Sequence, residues 1–501
     1  MFKFKNALDF LVLIKTLQET VTAQAKLIGA LQENKATQAN LIGALQESNV
    51  TQNLMIDTLK AQVKNLETEI SLLKNKKNSN NSHIPPSKDE NRVKKNQSLR
   101  EKTDRKVGGQ PGHEGTTLEC SAEVDEFIKH RPVFCNCCGN DLSTAAEIFI
   151  ASRQIIDVPP IMLKRIEHQV FKKQCTCGHM MESTFPSYVA NPVQYGPNVE
   201  SLVGYLHTRQ YLPYGRMQEF LKDVMGLSVS TGGINNILQR LAKKAMPFYD
   251  KIKERIEQAT CIGTDETGQN INGKKYWMWT WQNNKLTYIL SSGSRGFKTI
   301  EEAFEKGLPN AALVHDRWAC HFQMDAKAHQ ICIAHLLRDL NYINELYYKK
   351  CSWAGNLKTL LQQAIQLKKE LGANDYYCPN AERQMLFDKL EQSLHYTIHE
   401  DYSKSKSLQK KLLAKQDCIL YFLLQPNVPP DNNGSERAIR NVKVKQKISG
   451  HFKSTDGAKI FAVLRSVIDT TLKAGQNVLN SLFLIATFET DSYNFSNLFK
   501  T

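Results

Sequence analysis

A strict seven-residue repeat runs through residues 7–73 and constrains this chain more than any other feature. One column of the repeat is mostly β-branched, and a second column, three residues later, is mostly leucine. The first column is Ala7, Ile14, Val21, Ile28, Lys35, Ile42, Asn49, Ile56, Val63 and Ile70, and the second is Phe10, Leu17, Gln24, Leu31, Gln38, Leu45, Gln52, Leu59, Leu66 and Leu73. This pattern favours a parallel two-stranded coiled coil and therefore a homodimer. A single amphipathic helix is the alternative, but this stretch leaves no obvious globule for such a helix to pack on.

Length and charge limit the classes of protein to consider. A chain of 501 residues is long enough for several domains, because single cores rarely grow beyond about 250–300 residues. The net charge of +15 points to polyanionic partners, with nucleic acid ahead of an anionic membrane surface. The apolar run Phe10–Ile14 is too short for a secretory signal, and no run reaches the ~18 apolar residues of a membrane span. We therefore expect a soluble, cytoplasmic protein without a membrane partner.

Residues 74–106 have the composition of a basic linker. They contain eleven basic and four acidic residues, and Asn78–Pro86 has no helical or strand periodicity. Such a segment can follow phosphates without reading bases, although a solvated linker without a partner has the same composition. Gly108–Gly115 closes the segment with glycines that are typical of a tight turn.

Two cysteine pairs predict a structural zinc site. Cys135 and Cys138 form a C-x-x-C pair followed by Gly139, and Cys175 and Cys177 form a shorter pair followed by Gly178. Four thiolates in two such knuckles are typical of tetrahedral Zn²⁺ sites. The shortened second knuckle leaves the fourth ligand open, with His179 as a substitute, and a degenerate metal-free module is the alternative. The clustering of cysteines favours a reducing compartment over a disulfide framework.

A helix–turn–helix is indicated between residues 214 and 245. Tyr214–Met225 has helical spacing, residues 226–230 interrupt it, and Thr231–Ala245 resumes it with Thr231 as the expected N-cap. The second helix carries side chains that can pair with base edges, namely Asn235, Asn236, Gln239 and Arg240. Short helix pairs also serve purely structural roles, so DNA contact here is a hypothesis.

Two aspartates follow strand-like segments in the middle of the chain. Ala259–Thr264 leads into Asp265, and Ala311–Val314 leads to Asp316, with two aromatic-rich strands and a helix between them. This order of strand, strand, strand, helix, strand is the layout of an RNase H-like sheet, in which adjacent central strands present carboxylates side by side. Two carboxylates held close together repel each other unless a cation lies between them, which predicts a hard-metal site with oxygen ligands.

A later helix supplies a candidate third carboxylate. After Pro429 and Pro430, Asp431 or Asn432 is expected to cap a helix that begins a run of one acidic and several basic residues. At 100° per residue one face carries Glu436, Arg440, Lys443 and Lys447, while Ala438 and Val442 face away. A solvated face with ordinary i,i+4 pairing has the same pattern.

These motifs together resemble the insertion sequence 66 family of transposases, within the DDE recombinases. The resemblance rests on the N-terminal repeat, Gly109–His113 with Thr116 and Thr117, the first cysteine knuckle, Asp265-Glu-Thr267, Cys332–Arg338 and Asp431–Arg440, and it covers nearly the whole chain. The departures are the shortened second knuckle, His315–Trp318 in place of the commoner Asp-Gly-Tyr, and Asn441–Lys443 in place of a continuation that contains proline.

The resemblance implies a function. It places the metal-binding triad on Asp265, Asp316 and Glu436, with two Mg²⁺ or Mn²⁺ ions about 3.5–4 Å apart. It implies cleavage and strand transfer on the element's terminal inverted repeats and target DNA, with Arg440, Lys443 and Lys445 holding phosphates and accessory proteins from the same element as possible partners. The protein would associate with the nucleoid when bound to DNA. An RNase H-like nuclease or resolvase without strand transfer, and an inactive DNA-binding relic, remain as alternatives.

The predicted fold is multidomain α/β plus α. We expect an N-terminal parallel coiled coil, a small zinc-binding module, a helix–turn–helix and an RNase H-like mixed-sheet catalytic domain with a helical insertion. The expected boundaries are 1–75 for the coiled coil, 76–117 for the linker, 118–190 for the zinc module, 191–250 for the helix–turn–helix region, 255–345 with 428–475 for the catalytic domain, 346–427 for the insertion and 476–501 for a C-terminal tail.

Overall fold

A computed structural model describes residues 7–74, 118–186, 188–189 and 191–488. The chain divides into two units, which are described separately. One unit contains the N-terminal helix together with residues 338–358 and 397–407, and the other contains most of the remaining chain. The predicted basic linker, 76–117, and the Gly109–His113 motif lie outside the described residues.

The N-terminal repeat forms one continuous helix, α1, over Ala7–Lys74. Its apolar columns are exposed along the length of the helix in the single chain; Leu17, Leu31 and Leu45, for example, are all more than half exposed. A helix this long with an apolar stripe open to solvent has not buried that stripe within its own chain, as expected for a helix that pairs with a second copy. The coiled coil itself stays a prediction.

Residues 118–186 contain little regular structure. The two short strands β1, Lys172–Gln174, and β2, Met180–Glu182, pair antiparallel and carry the second cysteine knuckle between them. Gly139 and Gly178 both have positive φ, at 73° and 88°, and the N–H of each donates to the carbonyl of the first cysteine of its knuckle. The glycine after each knuckle is therefore required by a left-handed turn.

Three helices precede the main sheet: α2 at Pro197–Thr208, α3 at Tyr214–Met225 and α4 at Thr231–Glu257. The bounds of α3 and the start of α4 agree with the sequence pattern, but the N-cap of α4 is Ser230, whose hydroxyl accepts from the Gly233 N–H, and not Thr231. Helix α4 also runs across the predicted boundary at 250–255. Its buried Ile252 and Ile256 belong to the same core as the sheet, so α4 is packed on the sheet and does not end a separate domain.

The central sheet has five strands. They are β3 at Cys261–Ile271, β4 at Lys274–Gln282, β5 at Thr287–Ser292, β6 at Leu308–His315 and β7 at Ala326–Ile331, with α5 at Phe297–Ala303 before β6. Their order across the sheet is β5-β4-β3-β6-β7. Strands β3, β4 and β5 are antiparallel neighbours, whereas β6 is parallel to β3 and β7 is parallel to β6.

Strand β3 is longer than the sequence pattern indicated, and this corrects one expectation. Asp265 does not follow the strand but lies within it, because β3 continues to Ile271 and pairs with β4 over that whole length. The connection is a two-residue Asn272-Gly273 turn in which both residues have positive φ. Asn-Gly is the strongest short hairpin signal in a sequence, and it would have revealed the longer strand.

Helices follow the sheet to the end of the described chain. They are α6 at Ile333–Leu346, α7 at Ser352–Glu370, α8 at Ala381–His395, α9 at Ser403–Leu413, α10 at Asn433–Ser449, α11 at Thr455–Lys473 and α12 at Val478–Ala486. The predicted C-terminal tail is corrected in part, since Val478, Leu482 and Ile485 of α12 belong to the main core. Residues 489–501 lie outside the described part of the chain.

The two faces of the sheet are covered by different helices. One face presents Trp279 and Trp281 to a core that includes residues of α2, α4, α11 and α12. The other presents Met278 to a cluster that includes Val442 of α10 and Phe461 of α11. Because side chains alternate along a strand, this division decides which neighbours each polar residue of β3 meets.

Within the residues that the structure describes, no helix is both long enough and apolar enough to cross a membrane.

Candidate active site

Asp265 and Asp316 lie level with each other, one within β3 and the other just past the end of the parallel strand β6. The register pairs Gly263 of β3 with Val314 of β6. Asp265 lies two residues after Gly263, inside β3. Asp316 lies two residues after Val314, directly after β6 ends at His315. The sheet therefore brings together the first two acidic residues that the sequence selected.

Helix α10 is held against the same face of β3 as Asp265. The Asn432 side chain donates to the Thr264 carbonyl over 2.6 Å, and the Gln282 amide lies 3.3 Å from the Ser435 hydroxyl. The approach is so close that a Cβ on Gly263 would lie 2.6 Å from Asn432 Oδ1, and one on Gly434 would lie 2.4 Å from Gln282 Nε2. These two glycines let the N-terminus of α10 lie directly on β3 and β4.

Glu436 is in the first turn of α10, one residue after Ser435. Its backbone N–H donates to the Asn432 carbonyl, and the positive end of the helix dipole favours an acidic side chain there. His335 Nε2, from α6, lies 3.6 Å from Glu436 Oε1. Asn432 is the N-cap, as the sequence allowed, but its side chain bonds to β3 and does not cap the helix.

The electrostatics of Asp265 reflect this arrangement. Its pKa is raised well above the usual value, first by burial and then by the neighbouring carboxylates of Glu266, Asp316 and Glu436, against a hydrogen bond from the Glu266 N–H that lowers it. A buried carboxyl group whose pKa is raised by neighbouring carboxylates is in an environment that a bound cation relieves. Carboxylate oxygens are also the ligands that hard divalent cations prefer, so the donor set fits such an ion in its chemistry.

The side chains are not, however, drawn together as a ligand cluster. Across the ranges that the structure describes, no group of three or more His, Cys, Asp or Glu side chains is arranged so that it could hold a metal ion. This holds for the three acidic residues and also for the two cysteine knuckles.

The opposite face of β3 carries a polar network that the sequence analysis did not identify. Glu266 is buried and accepts from Arg295 Nε over 2.8 Å and from His321 Nε2 over 3.1 Å. Burial raises the pKa of Glu266, but His321 and Arg295 outweigh it and leave that pKa below its usual value. The Arg295 guanidinium also stacks on Trp277 and Trp318, with ring centroids at 4.8 and 4.0 Å.

Trp318 contacts both Arg295 and Asp316. Its ring packs on Arg295, yet 38% of its surface stays exposed beside Asp316, whose Oδ1 accepts from the Trp318 N–H. The alternation of side chains along β3 predicts that Glu266 points away from Asp265, as it does in the structure. The partner on that side, His321, is visible only in the folded chain.

The basic residues of α10 differ in accessibility. Arg440 is exposed on the Glu436 face, and Lys443 Nζ donates to the Gly268 carbonyl over 2.7 Å. Lys445 contradicts the sequence expectation, because it is buried on the other side of the helix, where its ammonium bonds to the Ser449 hydroxyl and lies 5.7 Å from the Phe452 ring. Burial lowers the pKa of Lys445 to about 8.

The candidate DNA-binding residues of α4 also differ in how exposed they are. Asn236 and Gln239 are exposed. Asn235 is partly buried and accepts from the Tyr214 hydroxyl over 3.3 Å. Arg240 forms an ion pair at 2.8 Å with Glu200, a buried carboxylate of α2. The exposed face of α4 thus consists of fewer base-reading side chains than the sequence suggested.

Each cysteine knuckle is formed individually. Hydrogen bonds from the backbone of Cys137 and Cys138 and from the Cys138 thiol lower the pKa of Cys135. The Cys177 backbone and thiol do the same for the pKa of Cys175, with a contribution from Thr176. Each knuckle thus pairs one thiol of lowered pKa with a second thiol, and cysteine thiolates are ligands that Zn²⁺ takes. The Cys138 thiol, not that of Cys137, contributes to the first pair.

Comparison with known families gives three matches. A family described as "Transposase IS66 family" matches residues 192–460, more than half of the chain. A "zinc-finger binding domain of transposase IS66" matches residues 132–178, which include both knuckles. A family of unknown function, DUF6444, matches residues 27–119. No curated protein matches the chain. The first match spans the sheet, most of the helices that cover it and all three acidic residues.

Proposed function

This chain belongs to the IS66 family of transposases, and on that premise we propose that it cleaves and joins DNA strands at the ends of its insertion sequence through Asp265, Asp316 and Glu436. The register of the sheet and the docking of α10 support the proposal, although the three acidic side chains, remote in sequence, do not form a ligand cluster in the described part of the chain. The register sets Asp265 level with Asp316, and α10 approaches β3 on the face of Asp265.

The strand order supports an RNase H-like catalytic domain. Three antiparallel strands followed by two parallel ones, in the order β5-β4-β3-β6-β7, are the arrangement expected of that fold. In it the first two carboxylates come from the central strand and its parallel neighbour; here Asp265 lies within β3 and Asp316 directly follows β6.

Asp265, Asp316 and Glu436 would hold two divalent cations, Mg²⁺ or Mn²⁺, which when bound supply an activated water or 3′-hydroxyl and neutralise charge on the leaving oxygen. The protein's own groups set the geometry for this. The hydrogen bonds of β3 fix the backbone of Asp265, and the Asn432–Thr264 bond fixes the start of the helix that carries Glu436. Arg440 and Lys443, on the Glu436 face of α10, would hold DNA phosphates.

Recognition of the element's ends is assigned to the α3–α4 pair. Five residues separate the two helices, and α4 exposes Asn236, Gln239 and Lys243 in successive turns. Asn and Gln can bond both edge atoms of adenine in the major groove, and Lys can neutralise a phosphate. Helix α4 would then serve as the recognition helix of a helix–turn–helix.

Two further parts complete the proposal. The apolar columns of α1 would pair two copies of the chain in a parallel coiled coil, which suits an enzyme that acts on two DNA ends. Cys135, Cys138, Cys175 and Cys177 would hold a structural Zn²⁺ ion, in keeping with the zinc-finger match over residues 132–178.

A strand-transfer assay tests the proposal. Full-length protein is incubated with a pre-cut end duplex, plasmid target and Mg²⁺, and joined product is measured beside cleavage of an uncut end. We expect Asp265→Asn to abolish both reactions and to leave end binding in EDTA intact. Cleavage without joining by the wild type would favour a nuclease or resolvase, and unchanged cleavage by Asp265→Asn would refute the metal mechanism.

A further inference from the structure

Asp316 lies in a less constrained position than its neighbour Asp265. Asp265 is inside a strand that is hydrogen-bonded on both sides, whereas Asp316 comes after the end of β6 and its side chain is 28% exposed. Outside the sheet, its carboxylate accepts from the Trp318 N–H over 2.9 Å. A ligand on a turn needs other contacts if it is to keep the orientation that a metal site requires.

His321 lies between two carboxylates that come from two different strands. It belongs to a single turn of 3₁₀ helix, His321–Gln323, and its side chain is buried. Its Nε2 is 3.1 Å from Glu266 Oε2 and 3.7 Å from Asp316 Oδ1. Ionised carboxylates only accept hydrogen bonds, so this network assigns the hydrogen of the imidazole to Nε2. One N–H group therefore faces both Glu266 on β3 and Asp316 after β6.

Glu266 and Arg295 fix the position of His321. Glu266 points to the face of the sheet opposite α10, where its cross-strand neighbour is Trp279. The ring of His321 packs edge-on against Trp279, at 5.8 Å. The second oxygen of Glu266 is held by Arg295, at 2.7 Å, and Arg295 is itself held between Trp277 and Trp318. Both oxygens of Glu266 are thus occupied, and Glu266 is not available as a ligand.

From this geometry we propose that His321 is a positioning residue, which orients the carboxylate of Asp316 for metal binding and is itself oriented by the Glu266–Arg295 pair. The proposal rests on the proposed function, because it concerns the same site. It assigns Glu266, adjacent to Asp265 in sequence, to the support of Asp316 and not to the metal. Groups that orient metal ligands in this way typically contribute about 10- to 100-fold in metal affinity or activity.

The test compares two variants of His321 in the full-length protein. His321→Leu removes the N–H group and keeps an apolar side chain in the pocket, whereas His321→Gln places an amide N–H where Nε2 lies. Mn²⁺ affinity is measured without DNA by electron paramagnetic resonance, and single-turnover cleavage of an end duplex is measured across a Mg²⁺ titration. End binding in EDTA and the melting temperature are measured alongside.

We expect His321→Leu to weaken Mn²⁺ binding and slow cleavage by about 10- to 100-fold, with end binding in EDTA unchanged. We expect His321→Gln to recover most of both losses. Glu266→Gln, which keeps its size and one carbonyl acceptor, should move both readouts in the direction of His321→Leu by a smaller factor. If His321→Leu does not fold, Glu266→Gln still tests the positioning role of His321.

His207→Leu is the matched control, because His207 is also a buried histidine but contacts Thr208 and aromatic rings away from the acidic residues. It should leave Mn²⁺ affinity unchanged. Wild-type Mn²⁺ binding by His321→Leu, or equal losses in His321→Leu and His321→Gln, would overturn the proposal. Asp265→Asn distinguishes failure of the positioning role from failure of the proposed function. If Asp265→Asn abolishes cleavage while His321→Leu has no effect, only the positioning role fails. If Asp265→Asn cleaves normally, the proposed function fails.

Discussion

At the scale of single residues, Gly263 decides how close the third acidic residue comes to the first two. It lies two residues before Asp265, and the start of α10 packs directly over its Cα. A side chain there would meet the Asn432 side-chain oxygen, the Ser435 hydroxyl and the Gln282 amide, all at 2.6–2.8 Å. Position 263 therefore links the packing of a helix to the geometry of the acidic site.

Gly263→Ala is expected to impair catalysis and stability together. Overpacking of a close contact typically costs about 1–3 kcal/mol, and the strain is relieved only if the start of α10 moves away with Glu436. We expect a lower melting temperature and slower cleavage at saturating end DNA. Gly355→Ala is the control, since a Cβ there meets nothing within 4 Å. Wild-type cleavage by Gly263→Ala would show that the position of α10 does not limit the reaction.

Lys445 illustrates how burial changes the role of a charged residue. Burial lowers its pKa from the ordinary 10.5 to about 8, a shift that corresponds to roughly 3 kcal/mol. Below pH 8 the lysine is charged in the folded and the unfolded chain, so the folded state carries the full penalty. Between about pH 8 and 10.5 the unfolded state binds more protons, and stability due to this group rises with pH.

The expected consequence is that Lys445→Met stabilises the protein most at neutral pH. Its advantage over the wild type in urea unfolding should shrink as pH rises from about 7.5 towards 10. End affinity should not change, because the Lys445 ammonium faces Ser449 and Phe452. Lys447→Met, at an exposed position of the same helix, provides the comparison. If the Lys445→Met protein binds the end more weakly at low salt, the result would instead support phosphate binding by Lys445.

At the scale of elements, α4 has a buried side and an exposed side. Its buried side joins the core with the sheet, through residues such as Ile252 and Ile256. Its exposed side carries Asn236 and Gln239. The sequence pattern selected Asn236 and Gln239, but it ended the helix at Ala245 and could not show that Arg240 is engaged by Glu200 on α2.

Substitutions in α4 should separate recognition from stability. Asn236→Ala with Gln239→Ala is expected to weaken binding to the element's end by about 1–3 kcal/mol for each base that is no longer read, while binding to a scrambled duplex and the melting temperature stay unchanged. Arg240→Ala should lower the melting temperature, because the buried Glu200 would then rely on Lys244, at 3.6 Å. Equal weakening on both duplexes in the double variant would indicate phosphate contact without base reading.

At the scale of the whole molecule, α1 is the element with the most exposed apolar surface among the described residues. Its two apolar columns are regular enough to predict the partner of α1, which is a second copy of the same helix. Polar pairs such as Lys35 with Gln38 interrupt every second heptad, which weakens the seam but favours one register.

Leu31→Asp with Leu45→Asp should therefore yield a monomer. Two charges in the seam would be buried without partners in a dimer, so light scattering after size exclusion should give half the wild-type mass. Joint processing of two ends should fall while binding of a single end persists. Glu33→Ala with Glu47→Ala, at outer positions of the same heptads, should remain dimeric. A wild-type mass for the leucine variant would place the dimer interface elsewhere.

The sequence by itself determined features that depend on short-range spacing. The long helix, the bounds of α3, the glycine turns after the cysteines and the polar face of α10 all follow from periodicity or from the conformational needs of a few neighbouring residues. The two aspartates and the late glutamate were also selected from strand and helix patterns, although Asp265 lies within its strand and does not follow it.

Only the tertiary structure shows which of the selected residues are buried and which side chains contact them. Lys445 and Arg440 are five positions apart on one helix, yet of the two only Lys445 is buried. The contacts of His321 with Glu266, 55 residues away, and of Asn432 with Thr264, 168 residues away, carry no local pattern. They depend on strand register and helix docking, which are set by the packing of the whole core and not by any one segment.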